Sequence, residues 1–563
     1  MSQPTPVLSS PWSGDATLRA AVRFHLGEEL YGEAKGQLAA WDRGAAERRS
    51  LAAQAERDGV DFQPYSAWGE RVDEVRVSPA YLELGRIGVR AGIAGLPYEP
   101  SVFGERARVL QSALIVLWAA DSAGFGCPLA IADAAARTLL EHGASPELDV
   151  VRRLTSRDPD IAWTSGQWMT EAAGGSDVGP TTTTARLDPD GGWRLYGVKS
   201  LASGWPTDIG LTLARPAGGA AGARGLALFW VPRLLEGGAP NCVRVRRLRD
   251  KLGTRALPTV ELELDGALAH PLGEPSEGGG VRRIATALAI TRVHNAAAAA
   301  AALGRGRAWA LAYAQQRVTF GRRLLHWPGH RVVLSQLAAD YAAALALALR
   351  CAELLGRVEH GTASQHEQRL LRGLTPIAKL ATARWAVAGV AEAMEAASGF
   401  GYCEDSTVPT MVRDAHVLPI WEGSTNVLAL DFLRAAATGS LEALITEVRQ
   451  TLAEVQGSPL VAGIAAAVQR AVDDLTGDLG PVLSDPGRAQ AGARALCLSL
   501  ARIYAAARLC LQASCAPAGD GQRAVGAAEV LLARGLAPRW PSPAAQRLAA
   551  DDPAPVCSSA DIS

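Results

Sequence analysis

The chain has no excess of charge of either sign, no paired cysteines and no long uncharged apolar run. Its 56 basic residues nearly balance 57 acidic ones, so any contact with nucleic acid has to be local. The eight cysteines are scattered, without the spacing of a zinc site or the density of a disulfide framework. We therefore expect no metal centre and a reducing, cytoplasmic location.

Signals for export or membrane insertion are also missing. Residues 1–15 lack the basic stretch and apolar core of a secretion signal. The alanine-rich tract at 296–302 is bracketed by polar and charged residues too closely for the roughly 20 residues that cross a bilayer. The sequence predicts a tightly packed helix there and no membrane partner.

The periodicity of apolar residues changes along the chain. From about 17 to 143 they recur three and four apart, as in amphipathic helices. Near 161 the period shifts towards two, and candidate strands lie at 181–187, 193–201, 209–214, 227–231 and 260–264. Long helical patterns return at 281–316, 329–360 and 366–397, with a shorter one after Trp421. Their short connections predict a four-helix bundle.

These changes predict an α+β protein of four domains. They are an N-terminal helical domain at 1–160, a central β domain at 161–278, a four-helix bundle at 279–437 and an appended C-terminal helical domain at 438–563. The last of these is rich in alanine and contains no lysine, and we expect a loose tail beyond Asp552.

The most informative motif opens the β domain, at Met169-Thr170-Glu171 and Gly174-Gly175-Ser176-Asp177. Adjacent glycines let backbone N–H groups turn towards a ligand, and the Thr and Ser hydroxyls can meet phosphate or carbonyl oxygens. The lysine of a Walker loop and the glycine pattern of a dinucleotide-binding turn are both absent. Taken alone, the segment is also typical of a turn between strands.

Four further motifs follow in chain order. They are Lys199-Ser200-Leu201-Ala202-Ser203, Arg317-Val318-Thr319-Phe320-Gly321, Ser398-Gly399-Phe400-Gly401-Tyr402 and Ile420-Trp421-Glu422-Gly423-Ser424-Thr425-Asn426. An edge-strand turn would also explain the first, and a solvent-facing helix end would explain the second.

Together with the order of helical, β and helical-bundle domains, these motifs resemble the acyl-CoA dehydrogenase family. The resemblance implies that family's fold with a β-barrel-like central domain, FAD as cofactor and an acyl-CoA thioester as substrate. Thr170 would hydrogen-bond the isoalloxazine, and Ser176 would lie along the phosphates of FAD or acyl-CoA. The other implied cofactor contacts are Met169, Gly175, Leu201, Ser203, Arg317, Phe320, Gly399, Trp421, Gly423, Ser424 and Asn426.

By the same resemblance, Glu422 lies at the position of the catalytic base. A carboxylate in an apolar slot, with a raised pKa, would remove the thioester α-proton while a hydride leaves the β-carbon for the flavin. Arg292 matches a family arginine near that glutamate, and Glu422 is a candidate partner for its charge. Alternatively, Ser424 caps the next helix with Glu422 on the surface, and Arg292 points outward at a helix start.

The resemblance further implies an oligomer. In the family the arginine that Arg317 matches reaches the FAD of a neighbouring subunit, and the usual assembly is a homotetramer. Leu201 stands where the family usually places an aromatic residue against the flavin, which weakens stacking on the cofactor.

Within the family, the sequence most resembles the AidB-like, alkylation-response branch, whose members carry an extra C-terminal domain. That branch is associated with binding duplex DNA through the last domain and with protection against alkylation damage. Residues 486–550 contain eight arginines against two acidic residues. Four of them, Arg488, Arg494, Arg502 and Arg508, could share a helix face and contact phosphates. Pairing with acidic residues of other domains would equally explain them.

The sequence therefore leaves three functions open. The first is an FAD enzyme that oxidises acyl-CoA thioesters with Glu422 as base. The second is a flavin-bearing, DNA-associated protein whose dehydrogenase chemistry is weak or vestigial. The third is a structural helical protein without a cofactor.

Overall fold

The computed structural model describes residues 6–143, 147–517 and 521–537. The N-terminal region contains α1 (Ala16–Ala39), α2 (Ala45–Asp58), β1 (Val60–Tyr65), β2 (Arg71–Val77), α3 (Pro79–Arg90), α4 (Ala107–Trp118), α5 (Gly126–His142) and α6 (Glu147–Leu154). The β domain contains β3 (Ser165–Trp168), β4 (Thr184–Leu187), β5 (Trp193–Ser203), β6 (Ile209–Pro216), β7 (Ala227–Pro232), β8 (Val243–Leu248) and β9 (Thr259–Leu272).

Helices then dominate to the end of the described chain. The central region contains α7 (Gly280–Arg283), α8 (Ala285–Gln316), β10 (Val318–Thr319), β11 (Arg322–Arg323), α9 (Pro328–Glu359), α10 (Gln365–Ala396), α11 (Gly399–Tyr402), α12 (Val408–Ala415) and α13 (Thr425–Ala436). The C-terminal region contains α14 (Ser440–Glu454), α15 (Ala462–Leu483), α16 (Pro486–Cys515) and α17 (Gln522–Ala533).

The N-terminal region is helical, as predicted, except for one hairpin. Strands β1 and β2 pair antiparallel and dock on β8, where the Arg71 guanidinium donates to the Val245 carbonyl at 2.9 Å. Helix α4 is buried along its whole length, because every residue from Ala107 to Trp118 faces other elements. This region therefore supplies a wall that packs against the bundle.

The β domain closes on itself. Strands β6, β4, β5, β9 and β7 pair in that order, and β7 returns to β6, which makes a five-stranded barrel. Strand β3 adds to β6 in parallel, and β8 adds to β9. The five predicted strands are present, four of them with bounds changed by up to three residues, whereas β9 runs eight residues beyond its predicted end. Strands β3 and β8 were not predicted. Strand β3 has four residues, too few to show a period, whereas β8 does alternate apolar and charged residues from Val243 to Arg246, a signal that the prediction did not use.

The bundle is formed by α8, α9, α10 and α13. Alanines along α8 are buried and let the helices approach closely, and a Cβ at Gly389 would lie 2.5 Å from the side chain of Leu303. Helix α10 begins at a capping box in which Ser364 and Glu367 bond each other's backbone N–H groups. The predicted α+β class, with helical domains on both sides of a β region, is confirmed.

Helices α14–α17 pack against this bundle through buried charges. Glu447 accepts hydrogen bonds from Arg350 Nε and from the Tyr504 hydroxyl, each at 3.0 Å, and Arg534 Nη1 donates to Asp340 at 2.6 Å. Among the described residues, two helices, α9 and α16, are long and apolar enough to cross a membrane, but 72% of the most apolar stretch of each is buried in the protein. They are core helices here. The predicted tail beyond Asp552 lies outside the described residues.

Candidate active site

Glu422 lies in the tight turn before α13, and its side chain lines a cavity of ≈ 550 Å³. The Thr291 hydroxyl on α8 donates to Glu422 Oε2 at 2.7 Å. Burial raises the pKa of Glu422, while the Thr291 hydrogen bond and the charges of Arg292 and Lys379 oppose that rise. The cavity therefore presents a carboxylate that binds a proton more readily than an exposed one.

Two cations hold the backbone of this turn. Arg292 Nε donates to the Glu422 carbonyl at 3.2 Å, and Lys379 Nζ donates to the Gly423 carbonyl at 2.7 Å. Glu422 has a φ of 58°, a left-handed conformation that non-glycine residues adopt at a cost. Lys379 is fully buried, and burial lowers its pKa to about 7 despite the nearby Glu422 charge. The turn is thus over-determined by its surroundings.

Arg292 forms its ion pair with a different carboxylate from the one predicted. Its Nη1 lies 2.8 Å from Asp431 Oδ2 on α13, and Arg372 Nη2 lies 2.6 Å from the other oxygen of Asp431. The expectation that Glu422 neutralises Arg292 was wrong, because Asp431 already does so. The Glu422 carboxylate is left to Thr291, Gln167 and the cavity.

The loop at Met169–Asp177 and the motif Lys199–Ser203 meet at one edge of the barrel. The Thr170 carbonyl accepts from the Ser200 N–H at 2.8 Å. Beside it, Glu171 Oε1 lies 2.8 Å from Lys199 Nζ, and the hydroxyls of Thr182 and Thr183 each donate to Glu171 at 2.6 Å. Burial alone would raise the pKa of Glu171, but the Lys199 ammonium and these hydroxyls lower it to about 2. Glu171 anchors the loop that carries Thr170.

The surfaces around this edge fit a flavin. Residues 172–177, which include Gly175 and Ser176, form an exposed loop, and Met169 and Thr170 just before it are half-exposed. A Cβ at Gly175 would lie 2.4 Å from Thr170 Oγ1. Near Glu422, Gln167 Oε1 and Trp421 Nε1 are buried without a hydrogen-bond partner in the described part of the chain. Ring carbonyls and N–H groups of an isoalloxazine are the kind of partner such atoms need.

In the motif Lys199–Ser203, Leu201 is 54% exposed with a φ of 57°, and Ser203 Oγ lies 2.9 Å from Thr259 Oγ1. Ser424 occupies the N-cap position of α13, yet its side chain makes no capping hydrogen bond. Asn426 is exposed in the first turn of that helix. The Ser424 hydroxyl is therefore available to a ligand rather than spent on the helix.

The motif Arg317–Gly321 lies far from Glu422. Arg317 follows Thr291 by 26 residues along α8, roughly 39 Å at the helical rise. There the Arg317 guanidinium lies 5.8 Å from the centre of the Phe400 ring, beside the exposed Gly399. Phe320, in the β10–β11 turn, is 94% exposed. Within one chain, this cluster and Glu422 do not form one site.

The four C-terminal arginines do not share an exposed surface. Arg488 and Arg494 are exposed on α16, and Arg502 is half-buried. Arg508 is buried, with Nη1 3.7 Å from Glu447 Oε1 and its guanidinium 5.2 Å from the Phe24 ring. Steps of six and eight residues turn a helix by about 240° and 80°, which places the four within an arc of about 160°, so burial against the rest of the protein, not helical spacing, separates Arg508 from the others. The prediction that Arg508 faces DNA was wrong.

Sequence reasoning missed two residues at the centre of the site, Thr291 and Lys379. Lys379 is a lone charge in an otherwise apolar stretch of α10, and a buried lysine of that kind needs a specific partner. That signal could have identified it. The described residues contain no group of three His, Cys, Asp or Glu side chains that could hold a metal ion.

Comparisons with known proteins match the chain domain by domain. Residues 3–161 match the model of the adaptive response protein AidB N-terminal domain, residues 166–267 the acyl-CoA dehydrogenase middle domain and residues 278–437 the acyl-CoA dehydrogenase C-terminal domain. Acyl-CoA dehydrogenase family member 11 of Caenorhabditis elegans is 40% identical over 446 residues, which cover 77% of this chain and 72% of the relative.

Two further comparisons extend the likeness. The putative acyl-CoA dehydrogenase AidB of Escherichia coli is 36% identical over 400 residues, covering 69% of this chain and 72% of that protein. The crystal structure of C. elegans ACDH-11 in complex with C11-CoA superposes with a TM-score of 0.92 at 35% identity, covering 98% of this chain and 96% of that one. The predicted likeness to AidB is confirmed, and the C. elegans relative is more similar still. The chain therefore belongs to the acyl-CoA dehydrogenase family of FAD-dependent oxidoreductases.

Proposed function

We propose that the chain oxidises acyl-CoA thioesters and that Glu422 is the general base that removes the α-proton. The observation that carries this proposal is the Glu422 carboxylate in the wall of the ≈ 550 Å³ cavity, with its pKa raised by burial. A base whose pKa lies nearer neutrality takes a proton from a weak carbon acid more effectively. FAD, when bound, supplies the acceptor for the hydride that leaves the β-carbon.

The neighbours of Glu422 prepare it for this step. The Thr291 hydroxyl stabilises the charged carboxylate before the proton arrives, and Arg292 and Lys379 hold the turn through the carbonyls of residues 422 and 423. Because Asp431 neutralises Arg292, proton uptake by Glu422 does not leave that arginine without a partner. The site can therefore change protonation without losing its geometry.

We assign the flavin ring to the edge where Thr170 and Ser200 meet, beside Gln167 and Trp421. The exposed loop with Gly175 and Ser176 can take a phosphate through backbone N–H groups and a hydroxyl without adding charge. The likeness to the C. elegans structure, which holds C11-CoA, supports an acyl-CoA in the cavity.

We further propose a homotetramer in which one subunit completes the FAD site of another. Arg317, Phe320 and Gly399 lie too far from Glu422 to serve the same flavin ring. Phe320 is 94% exposed in the turn of a hairpin whose strands have two residues each. Such exposure of a phenylalanine is unusual on a free surface and is suited to burial against another subunit. An arginine beside it can hold a phosphate through its two-pronged guanidinium.

The test uses flavin bleaching by a series of acyl-CoA thioesters without oxygen. Glu422→Gln should keep bound FAD and lose roughly 10²- to 10⁴-fold in the rate of bleaching, the usual contribution of a general base. Glu395→Gln, an exposed glutamate on α10, is the matched control and should bleach like the unaltered protein. Bleaching by Glu422→Gln at the normal rate would remove the assignment of the base, and no bleaching by any thioester would remove the proposed activity.

Binding of duplex DNA by the C-terminal domain stays a prediction with a smaller basis. Arg488 and Arg494 are exposed and form no ion pair with the described residues, which leaves two of the four proposed phosphate contacts. Replacing both with glutamine should weaken duplex binding at low salt and reduce the slope of log affinity against log salt by about 2. An unchanged slope would show that these arginines do not contact phosphate.

A further inference from the structure

The cavity that holds Glu422 continues well beyond it. Two helices line its length, α8 from Thr291 to Arg305 and α2 from Glu56 to Arg49. Fourteen residues separate Thr291 from Arg305, so the cavity extends along α8 for about 21 Å. A ligand whose reacting carbon lies at Glu422 can therefore have its other end near Arg305.

The middle of the cavity is lined with small apolar side chains. Helix α2 contributes Ala52 and Ala53, and α8 contributes Ala298 and Ala302. Methyl groups on both sides leave room for an alkyl chain and offer it no hydrogen bonds. This stretch suits the methylene part of an acyl group.

The far end is charged. Arg305 holds Asp121 with both guanidinium nitrogens, at 2.6 and 2.7 Å, and the carboxylate of Asp121 is almost fully buried. Arg49 lies beside this pair, where burial and the positive charge of Arg305 lower its pKa and Asp121 opposes that change. Arg48 is a further guanidinium near the same carboxylate. Three arginines thus surround one aspartate.

Arg49 differs from the other two in its hydrogen bonds. Arg305 is satisfied by Asp121, and Arg48 donates to the carbonyls of Trp41 and Arg43. Arg49 forms no hydrogen bond with any side chain or carbonyl in 6–143, 147–517 or 521–537. Its guanidinium lines the cavity, and an anion placed there would gain both a charge partner and donors.

We propose that the charged end of the cavity binds a carboxylate at the far end of the acyl group. The chain then favours ω-carboxyacyl-CoA thioesters over unsubstituted acyl-CoA thioesters of the same length, and Arg49 determines that specificity. The inference rests on the proposed function, because it places the reacting end of the same substrate at Glu422. An unsubstituted chain would leave the Arg49 charge without an anion inside the cavity.

The experiment compares dodecanoyl-CoA with its ω-carboxy counterpart, the dodecanedioic monothioester, by anaerobic flavin bleaching of the holoenzyme. The apparent affinity of the unaltered protein should be at least about tenfold higher for the carboxylated substrate, the factor that one charge-assisted hydrogen bond supplies. Arg49→Met should reduce this ratio by about tenfold. Arg43→Met, an exposed arginine just before α2, is the control and should leave the ratio unchanged.

A second arm distinguishes the acyl carboxylate from the phosphates of CoA as the anion near Arg49. Pantetheine thioesters carry no phosphate, so the preference and its loss in Arg49→Met should persist with them. If the preference disappears in the pantetheine series, the anion at Arg49 belongs to CoA and the inference is overturned.

The remaining outcomes separate the inference from the proposed function. Equal affinities of the unaltered protein for the two CoA thioesters would overturn the inference while leaving acyl-CoA oxidation intact, and this result needs no variant to fold. Absence of bleaching by both substrates, and by acyl-CoAs from octanoyl to hexadecanoyl, would overturn the proposed function and the inference with it.

Discussion

The buried pair of Glu171 and Lys199 allows a test of what holds the loop that carries Thr170 in place. Lys199 is 0% exposed, and its ammonium donates to Glu171 Oε1 at 2.8 Å and to the Leu213 carbonyl at 2.9 Å. Glu171→Gln removes the carboxylate and leaves this ammonium buried beside neutral groups. A buried charge without a counter-charge is strongly destabilising.

The size of the effect follows from the pKa of Glu171. Its fall from 4.5 to about 2 corresponds to about 3 kcal/mol at 1.36 kcal/mol per pKa unit, which agrees with the roughly 3–5 kcal/mol for breaking one half of a buried pair. Because the folded pKa lies below the unfolded one, this stabilisation is fully present above pH 4.5 and is lost as the pH falls towards 2.

The assay is thermal unfolding of the holoenzyme at pH 7, with the release of FAD followed by its fluorescence. The first transition is the relevant one, because a protein of this size need not unfold in a single step. Glu171→Gln should be destabilised by about 3 kcal/mol. Lys199→Met should also be destabilised, since it strands the carboxylate.

The double variant provides the decisive comparison. Replacing a buried ion pair with neutral or apolar groups of similar volume is often close to neutral, so Glu171→Gln with Lys199→Met should regain most of the loss. If Glu171→Gln is as stable as the unaltered protein, or if the two losses simply add, the charge argument is refuted.

Two further predictions concern the turn that carries Glu422 and the contact of Gly253 with α12. Lys379→Met removes a positive charge that lowers the pKa of Glu422. In the pH profile of kcat/KM, the acid limb should already lie above pH 4.5 in the unaltered protein and should move to higher pH in the variant. An acid limb that does not move would show that the lysine acts through structure alone. Gly253→Ala would place a Cβ 2.5 Å from the Arg413 carbonyl carbon, and this overpacking should lower stability by about 1–3 kcal/mol in denaturant unfolding. Gly329→Ala is the control, because a Cβ there meets nothing within 4 Å, and equal stability of the two variants would contradict the argument.

Much of the architecture could be predicted because helices and half-buried strands leave a periodic pattern in the sequence. The three long helices α8, α9 and α10 begin and end within a few residues of their predicted bounds. Ser165–Trp168 is too short to show that pattern. Val243–Leu248 and the β1–β2 hairpin were also missed, although residues 243–246 alternate apolar and charged side chains. Their stability comes from pairing with strands elsewhere in the chain.

At the candidate site, Glu422 and the Thr170 loop were predicted from short motifs and the family resemblance that those motifs carry, because each motif consists of residues close together in the chain. The partner of Arg292 could not be read in the same way. Asp431 lies 139 residues further on, and the contact depends on how α13 packs against α8. Arg508 illustrates the same limit, since a surplus of arginine says nothing about which side of a helix is covered.

The sequence by itself determined the order of elements, the domain class and the residue types in each motif, because these depend on periodicity and on neighbouring residues. Only the tertiary structure decided which groups meet. Thr291 reaches Glu422 across 131 residues, and Lys379 reaches Gly423 across 44. Such contacts set burial, charge and hydrogen bonding, and those three quantities decide whether Glu422 is an exposed acid or a base in a cavity.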